Sequence, residues 1–384
     1  MTPSTAALTW TDALDAVIND TIAPAAEEVD AAGAFPRAGI DALARADILG
    51  LLSAGEVGGG GHGLREAAEA VERIARVCGS TAMVTMMHFC AVAVIEKAGP
   101  RDVREAVAAG RHLSTLAFSE AGSRAHFWAP VSTARVGDRG VALDARKSWV
   151  TSAGEADSYV WSSRPVAAAA ASTLWLVAAS TPGLRVGPPF AGLGLRGNAS
   201  TTIAADGVEV PASAMLGADG DGFDLMMGVV LPTFQVLNAA VAVGTMETAT
   251  RRTAEHATAT RYEHLGQTLA DMPTARAQIA RMRTTTDQAR ALLLDTLTAL
   301  ETGREDAMLR VLEVKAAAGE AVTAVTDLAM RVCGGAAFRR EVGVERNFRD
   351  ARAAGVMAPT TDALHDFIGR VVCGLPLFDA PAHA

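Results

Sequence analysis

Two histidines are the side chains in this sequence best suited to move a proton. His126 precedes Phe127 and Trp128, and His88 follows Met86 and Met87 in an apolar run. An imidazole can accept a proton near neutral pH, so either could act as general base, although a lone histidine is more often structural or exposed. The Met pair reads as core packing. Arg124 could hold an anionic substrate group with its planar fork or face solvent. Gly58 to Gly61 could suggest a phosphate loop, but no Lys-Ser/Thr follows, so the run reads as a flexible connection. Cys78, Cys90, Cys333 and Cys373 form no CxxC pair, which fits reduced, buried thiols rather than a disulfide framework, and no metal site is expected.

The elements that must position these groups fall into three stretches. Residues 1–112 are expected to form an N-terminal helical domain, with apolar positions at helical spacing near Leu14, Val17, Ile18 and Ile22, then helices at 37–49, 64–78, 80–98 and 100–109. Residues 113–222 change to short Val-, Thr- and Trp-rich runs between Gly, Asp and Pro, which predicts a small β-barrel or sandwich. Its strands are expected at 114–119, 130–136, 140–144, 158–163, 173–179 and 201–209, with Val166 to Ala171 as an exposed, Ala-rich loop. Residues 223–384 return to long helices, roughly 223–257, 272–302 and 305–333, expected to pack as a C-terminal bundle. The predicted class is mainly α with a central β domain.

The chain is half apolar with a net charge of -9, which argues against a nucleic-acid partner. Residues 225–246 are long and apolar enough for a membrane span. They contain Pro232, Gln235 and Asn238 and have no second candidate beside them, so a buried bundle helix is the expectation, with no membrane partner. The first residues lack a positively charged leader, and a cytoplasmic location is expected.

Several motifs then occur in a telling order. Ile48 to Leu52 followed by Glu56-Val57-Gly58-Gly59 comes first. Phe118-Ser119-Glu120-Ala121-Gly122-Ser123, Lys147-Ser148-Trp149-Val150-Thr151-Ser152 and Gly192 to Ser200 follow. The bundle adds Arg261 to Gly266, Arg331 with Gly334-Gly335, and Arg349-Asp350. Together these resemble the acyl-CoA dehydrogenase family over nearly the whole chain. The resemblance implies an N-terminal helical domain, a small β-barrel and a C-terminal four-helix bundle, with FAD as cofactor. It places FAD contacts at Phe118, Ser119, Ser123, Trp149, Thr151, Thr360 and Asp362. An indole can cover an isoalloxazine face, and a Thr hydroxyl or N–H can bond flavin N5. Arg261, Arg331, Gly334 and Gly335 are implied to hold the FAD of a neighbouring subunit, and so a homotetramer or homodimer. Glu120 is implied to be structural.

The pattern also departs from the family. Its catalytic carboxylate belongs to a Tyr-Glu-Gly-Thr element, and the matching stretch here is Val356-Met357-Ala358-Pro359-Thr360-Thr361-Asp362. Ala358 occupies the carboxylate's position and cannot accept a proton, although its N–H could still polarise a carbonyl. The window Val229 to Asn238, where some members place the base, has no Asp, Glu, Arg or Lys. Three functions remain open. One is oxidation of an acyl thioester, bound to CoA or a carrier protein, with a relocated or absent base. The second is a flavin monooxygenase of the same fold, and the third a non-catalytic FAD-binding scaffold. The first implies an electron-transfer flavoprotein as partner and the second a flavin reductase.

Overall fold

A capping box opens the first helix: the Asp12 N–H donates to Thr9 Oγ1 and the Thr9 N–H to the Asp12 carboxylate. In this computed structural model, which describes residues 9–123 and 126–378, the chain divides by contact into two compact units. Among the described residues, one comprises 9–123 and 128–233, the other 126–127 and 234–378.

The first unit begins with α1 (Trp10–Val17), a π turn (Ile18–Ile22) and α2 (Ala23–Ala32), followed by α3 (Arg37–Arg45), α4 (Leu64–Ala75), α5 (Gly79–Ala98) and α6 (Arg101–Ala108). α5 is buried almost all round, as a helix apolar on every face must be. It packs against α4 and against the first strand.

Two four-stranded sheets follow. One orders β1 (Ser114–Ala117), β4 (Ser158–Ser163), β5 (Thr173–Ala178) and β8 (Met215–Leu216), with β1 and β4 parallel. The other orders β2 (Thr133–Val136), β3 (Val141–Val150), β7 (Thr201–Val210) and β6 (Arg185–Val186). An isolated bridge between Glu120 and Lys147 ties the segment after β1 to β3. The loop Val166 to Ala168 is fastened by three backbone N–H groups donating to the Asp219 carboxylate.

In the second unit α8 (Leu231–Ala259, counted here from Phe234) follows α7 (Gly222–Leu225) and a π turn of the first. A short hairpin of β9 (Arg261–Tyr262) and β10 (Gln267–Thr268) leads to α9 (Pro273–Thr302), α10 (Ala307–Cys333), α11 (Val344–Val356) and α12 (Thr361–Val372). α10 packs against α9, α11 and α12. Glu247 on α8 accepts from Arg283 and Arg290 on α9, while Arg252 donates to Asn347 on α11. The architecture is mainly helical with a central β domain, as expected.

Four expectations are corrected. The Gly58–Gly61 run is not a loose connection: a Cβ on Gly59 would lie 2.3 Å from the Ser53 carbonyl oxygen, so glycine permits a close backbone approach. Cys373 is exposed, while the other three cysteines are buried. β3 runs on to Val150, past the polar residues at which the expected strand ended. By length and composition three helical runs could cross a membrane, Gly79–Ala98, Gly222–Ala259 and Ala307–Phe338, where the sequence reading had singled out one.

Candidate active site

In the first unit the candidate residues of the β domain surround a buried ion pair. Lys147 and Glu120 are 1% and 4% exposed. The Lys147 ammonium donates to Glu120 Oε1, to the Ser162 carbonyl at 2.7 Å and to Ser162 Oγ at 3.0 Å. The other Glu120 oxygen accepts the N–H groups of Val131 and Ser132. Burial pushes Lys147 down to about 8, while the nearby ammonium, against the effect of burial, holds Glu120 below the usual carboxylate range. The pair joins the segment after β1 to β3.

Beyond Lys147 the register with β7 shifts, and Trp149 takes φ +57°. Such irregularities re-aim side chains at the ends of strands. The indole is 65% exposed, with its ring 4.5 Å from that of Phe190. Trp149 is therefore not a core aromatic. Thr151 is buried, its Oγ1 sharing a hydrogen bond with Ser200 Oγ. The Gly192–Ser200 motif anchors this turn: the Ser152 N–H donates to the Asn198 carbonyl and the Ala153 N–H to that of Ala199. Phe118 and Ser123 are buried, and the half-buried Ser119 accepts the Ser148 N–H through its carbonyl.

In the second unit the candidate residues centre on the turn after α11. Ala358 is half-buried and joined to Pro359 by a cis peptide bond. Beneath it lies Lys315 of α10, 0% exposed, whose ammonium donates to the Met357 carbonyl at 3.0 Å and the Pro359 carbonyl at 2.7 Å. Burial without a carboxylate partner pushes its pKa down to about 7. Thr360 caps α12 by accepting the Ala363 N–H, and Asp362 is exposed in the first turn. Arg261 is exposed on the hairpin; Arg331, Gly334 and Gly335 are exposed at the end of α10, next to Phe338, which is 82% exposed.

The two candidate bases differ. His88 is 0% exposed, its Nε2 lies 3.2 Å from the Leu49 carbonyl oxygen, and its Nδ1 accepts the Ser114 N–H at 3.1 Å. Burial pushes its pKa down to about 4. Both ring nitrogens are thus taken up by the backbone, and His88 is a structural residue, not the general base the sequence offered. His126 is exposed and belongs by contact to the second unit. Arg124 lies outside the described residues.

Models of three acyl-CoA dehydrogenase domains match this chain: the N-terminal domain at residues 6–110, the middle domain at 115–208 and the C-terminal domain at 220–373. This chain belongs to the acyl-CoA dehydrogenase family. It is 29% identical over 360 residues to cyclohex-1-ene-1-carbonyl-CoA dehydrogenase of Geobacter metallireducens, covering 91% of this chain and 93% of that one. It is 27% identical over 346 residues to the human mitochondrial short-chain specific acyl-CoA dehydrogenase, with 88% and 83% covered. Its fold superposes on butyryl-CoA dehydrogenase from Megasphaera elsdenii with a TM-score of 0.88 at 22% identity, covering 95% and 99% of the two chains.

Membership makes the protein an acyl-CoA dehydrogenase-like oxidoreductase with FAD as cofactor. The barrel-side residues fit that group: an exposed indole stands beside a buried Thr151, on a turn held by its own backbone bonds. An added Cβ on Gly334 or Gly335 would meet nothing within 4 Å, which leaves the backbone there open to approach. Sequence reasoning missed Lys315 and Phe190. Phe190 precedes the Gly192–Ser200 motif, and its partner Trp149 is distant in sequence. Lys315 sits on a helix that also carries Arg310, Glu313 and Glu320, so one more charged residue gave no signal in the sequence.

Proposed function

We propose that the protein is an FAD-dependent oxidoreductase acting on an acyl thioester, with the proton acceptor displaced from the position of Ala358. The observation that carries this reading is Lys315, which holds the carbonyls on both sides of Ala358. The turn keeps a dedicated anchor although its carboxylate is gone. Bound FAD supplies a hydride acceptor. Trp149 and Thr151 would hold it, and the Ala358 N–H would polarise the thioester carbonyl where negative charge develops. Oxidation at the β-carbon releases an α-proton, and His126 is the residue proposed to take it. Reoxidation would fall to an electron-transfer flavoprotein.

A second reading is favoured by the missing carboxylate itself. A flavin monooxygenase needs no base for an α-proton, and a separate reductase would feed it. The test is anaerobic mixing of the FAD-loaded protein with acyl thioesters. Loss of the oxidised-flavin absorbance supports the dehydrogenase. An unchanged flavin, together with substrate-stimulated oxygen uptake in the presence of a reductase, supports the monooxygenase. His126→Ala should slow the thioester reaction by about 10²–10⁴ with FAD still bound, the usual cost of losing a positioned base. A change within roughly twofold would retire His126.

A further inference from the structure

The bundle buries unpartnered polar atoms beside the Ala358 turn. Gln235 and Asn238 lie three residues apart on one face of α8, 0% and 1% exposed. Neither side-chain amide atom of Gln235 has a hydrogen-bond partner, and neither does Asn238 Oδ1. Asn238 Nδ2 reaches only the Met357 sulfur, a weak acceptor, at 3.9 Å. Met357 immediately precedes Ala358, and Lys315 holds its carbonyl. Orphaned amide atoms therefore adjoin the turn that carries the altered catalytic position.

Buried polar atoms are nearly always paired, because leaving one dry forfeits its hydration with nothing in return. A Leu or Met at either position would avoid that loss. The orphans also specify what is missing. Gln235 offers an NH2 donor group and a carbonyl acceptor, and Asn238 Oδ1 is a second acceptor. A hydrocarbon chain satisfies none of them. A carboxylate brings only acceptors and would leave both amide oxygens dry. A hydroxyl accepts from Gln235 Nε2 and donates to one of the two oxygens.

We infer that Gln235 and Asn238 form a hydrogen-bonding subsite for a hydroxyl on the acyl portion of the substrate, so that the substrate class is a hydroxyacyl thioester. This rests on the thioester reading above and narrows it. Neither residue exchanges a proton with substrate; they are specificity-determining groups that orient the chain relative to residue 358.

The test is equilibrium binding to the FAD-loaded protein, read anaerobically from the flavin spectrum, for butyryl-CoA and its three monohydroxy derivatives. The wild type should bind at least one hydroxy ester roughly tenfold or more tighter than butyryl-CoA. Gln235→Leu should erase that preference while butyryl-CoA binds as well or better. The ligand-free variant should melt at a higher temperature, because an unpaired amide is replaced by an apolar group of similar size. Asn238→Leu serves as the second variant should the first fail to fold, with loss of preference again expected. Wild-type protein that binds butyryl-CoA and the hydroxy esters equally overturns the subsite and leaves the thioester reading intact. A preference that survives in both variants also overturns it. If no ester binds to the wild type, both readings fall together.

Discussion

Lys315 shows how a single residue can be decisive and yet hidden. It lies on α10 among Val311, Leu312, Val314 and Ala316, all buried, and its partners are backbone carbonyls 42 and 44 residues further along the chain. No local pattern announces such a pairing, because any residue type can supply a carbonyl. Ala358, by contrast, was legible, since a family motif fixes its place and its side-chain type decides what it cannot do. His88 was read only halfway: its apolar helix was evident, but the two backbone groups that occupy its ring come from distant segments. The depressed pKa of Lys315, about 7 against an ordinary 10.5, has a definite consequence. Between these values the unfolded chain binds a proton that the folded chain has released, so stability rises with pH across the window. The urea midpoint of the wild type should therefore climb from about pH 7 to about pH 10, and Lys315→Met should flatten that climb. Lys147, pushed down to about 8, contributes in the same direction but is present in both proteins. Equal slopes in the two proteins would show that Lys315 stays charged throughout.

At the scale of elements, the helices were the easier part. Long periodic runs such as Pro273–Thr302 and Ala307–Cys333 announce themselves through apolar spacing, and Gly99-Pro100 and Pro36 punctuate the shorter ones. Strand β3 was cut short because Asp144, Arg146 and Lys147 break the expected alternation, although Lys147 is buried by its pairing with Glu120. The Ala-rich loop from Val166 was recognised as a loop, but its fastening was not, since Asp219 reads locally as a turn residue. Its carboxylate accepts the N–H groups of Val166, Ala167 and Ala168 and the Thr173 hydroxyl. These bonds, against the effect of burial, hold its pKa down to about 2. Asp219→Ala should lower unfolding free energy by about 1–3 kcal/mol near neutral pH. The stabilisation is present above the ordinary carboxylate value of 3.8 and is lost as pH falls through about 2, so the difference between the two proteins should shrink across that interval. A difference that stays constant with pH would mean that the loop is held by other contacts.

For the whole molecule, the order helices, strands, bundle follows from composition alone, and the motifs add the family. What a single sequence conveys poorly is the surface that one chain leaves uncovered. Phe338 is 82% exposed and Leu265 52%, beside the exposed Arg331, Gly334, Gly335 and Arg261 that the resemblance assigns to a neighbouring subunit's FAD. A symmetric oligomer that covers these groups remains our proposal for the assembly. The central claim is that the turn at residue 358 keeps its dehydrogenase framework while its proton acceptor has moved elsewhere. It is tested most directly by restoring that group and reading the flavin. The measurement is the anaerobic rate of flavin reduction by short, branched and long acyl thioesters in wild type and Ala358→Glu. If Lys315 still holds the turn in a productive position, the variant should be reduced faster than wild type with at least one thioester, and in a His126→Ala background Ala358→Glu should restore most of the about 10²–10⁴ lost with the histidine. A variant that binds FAD and the esters as the wild type does, yet gains no rate with any of them, would contradict the account.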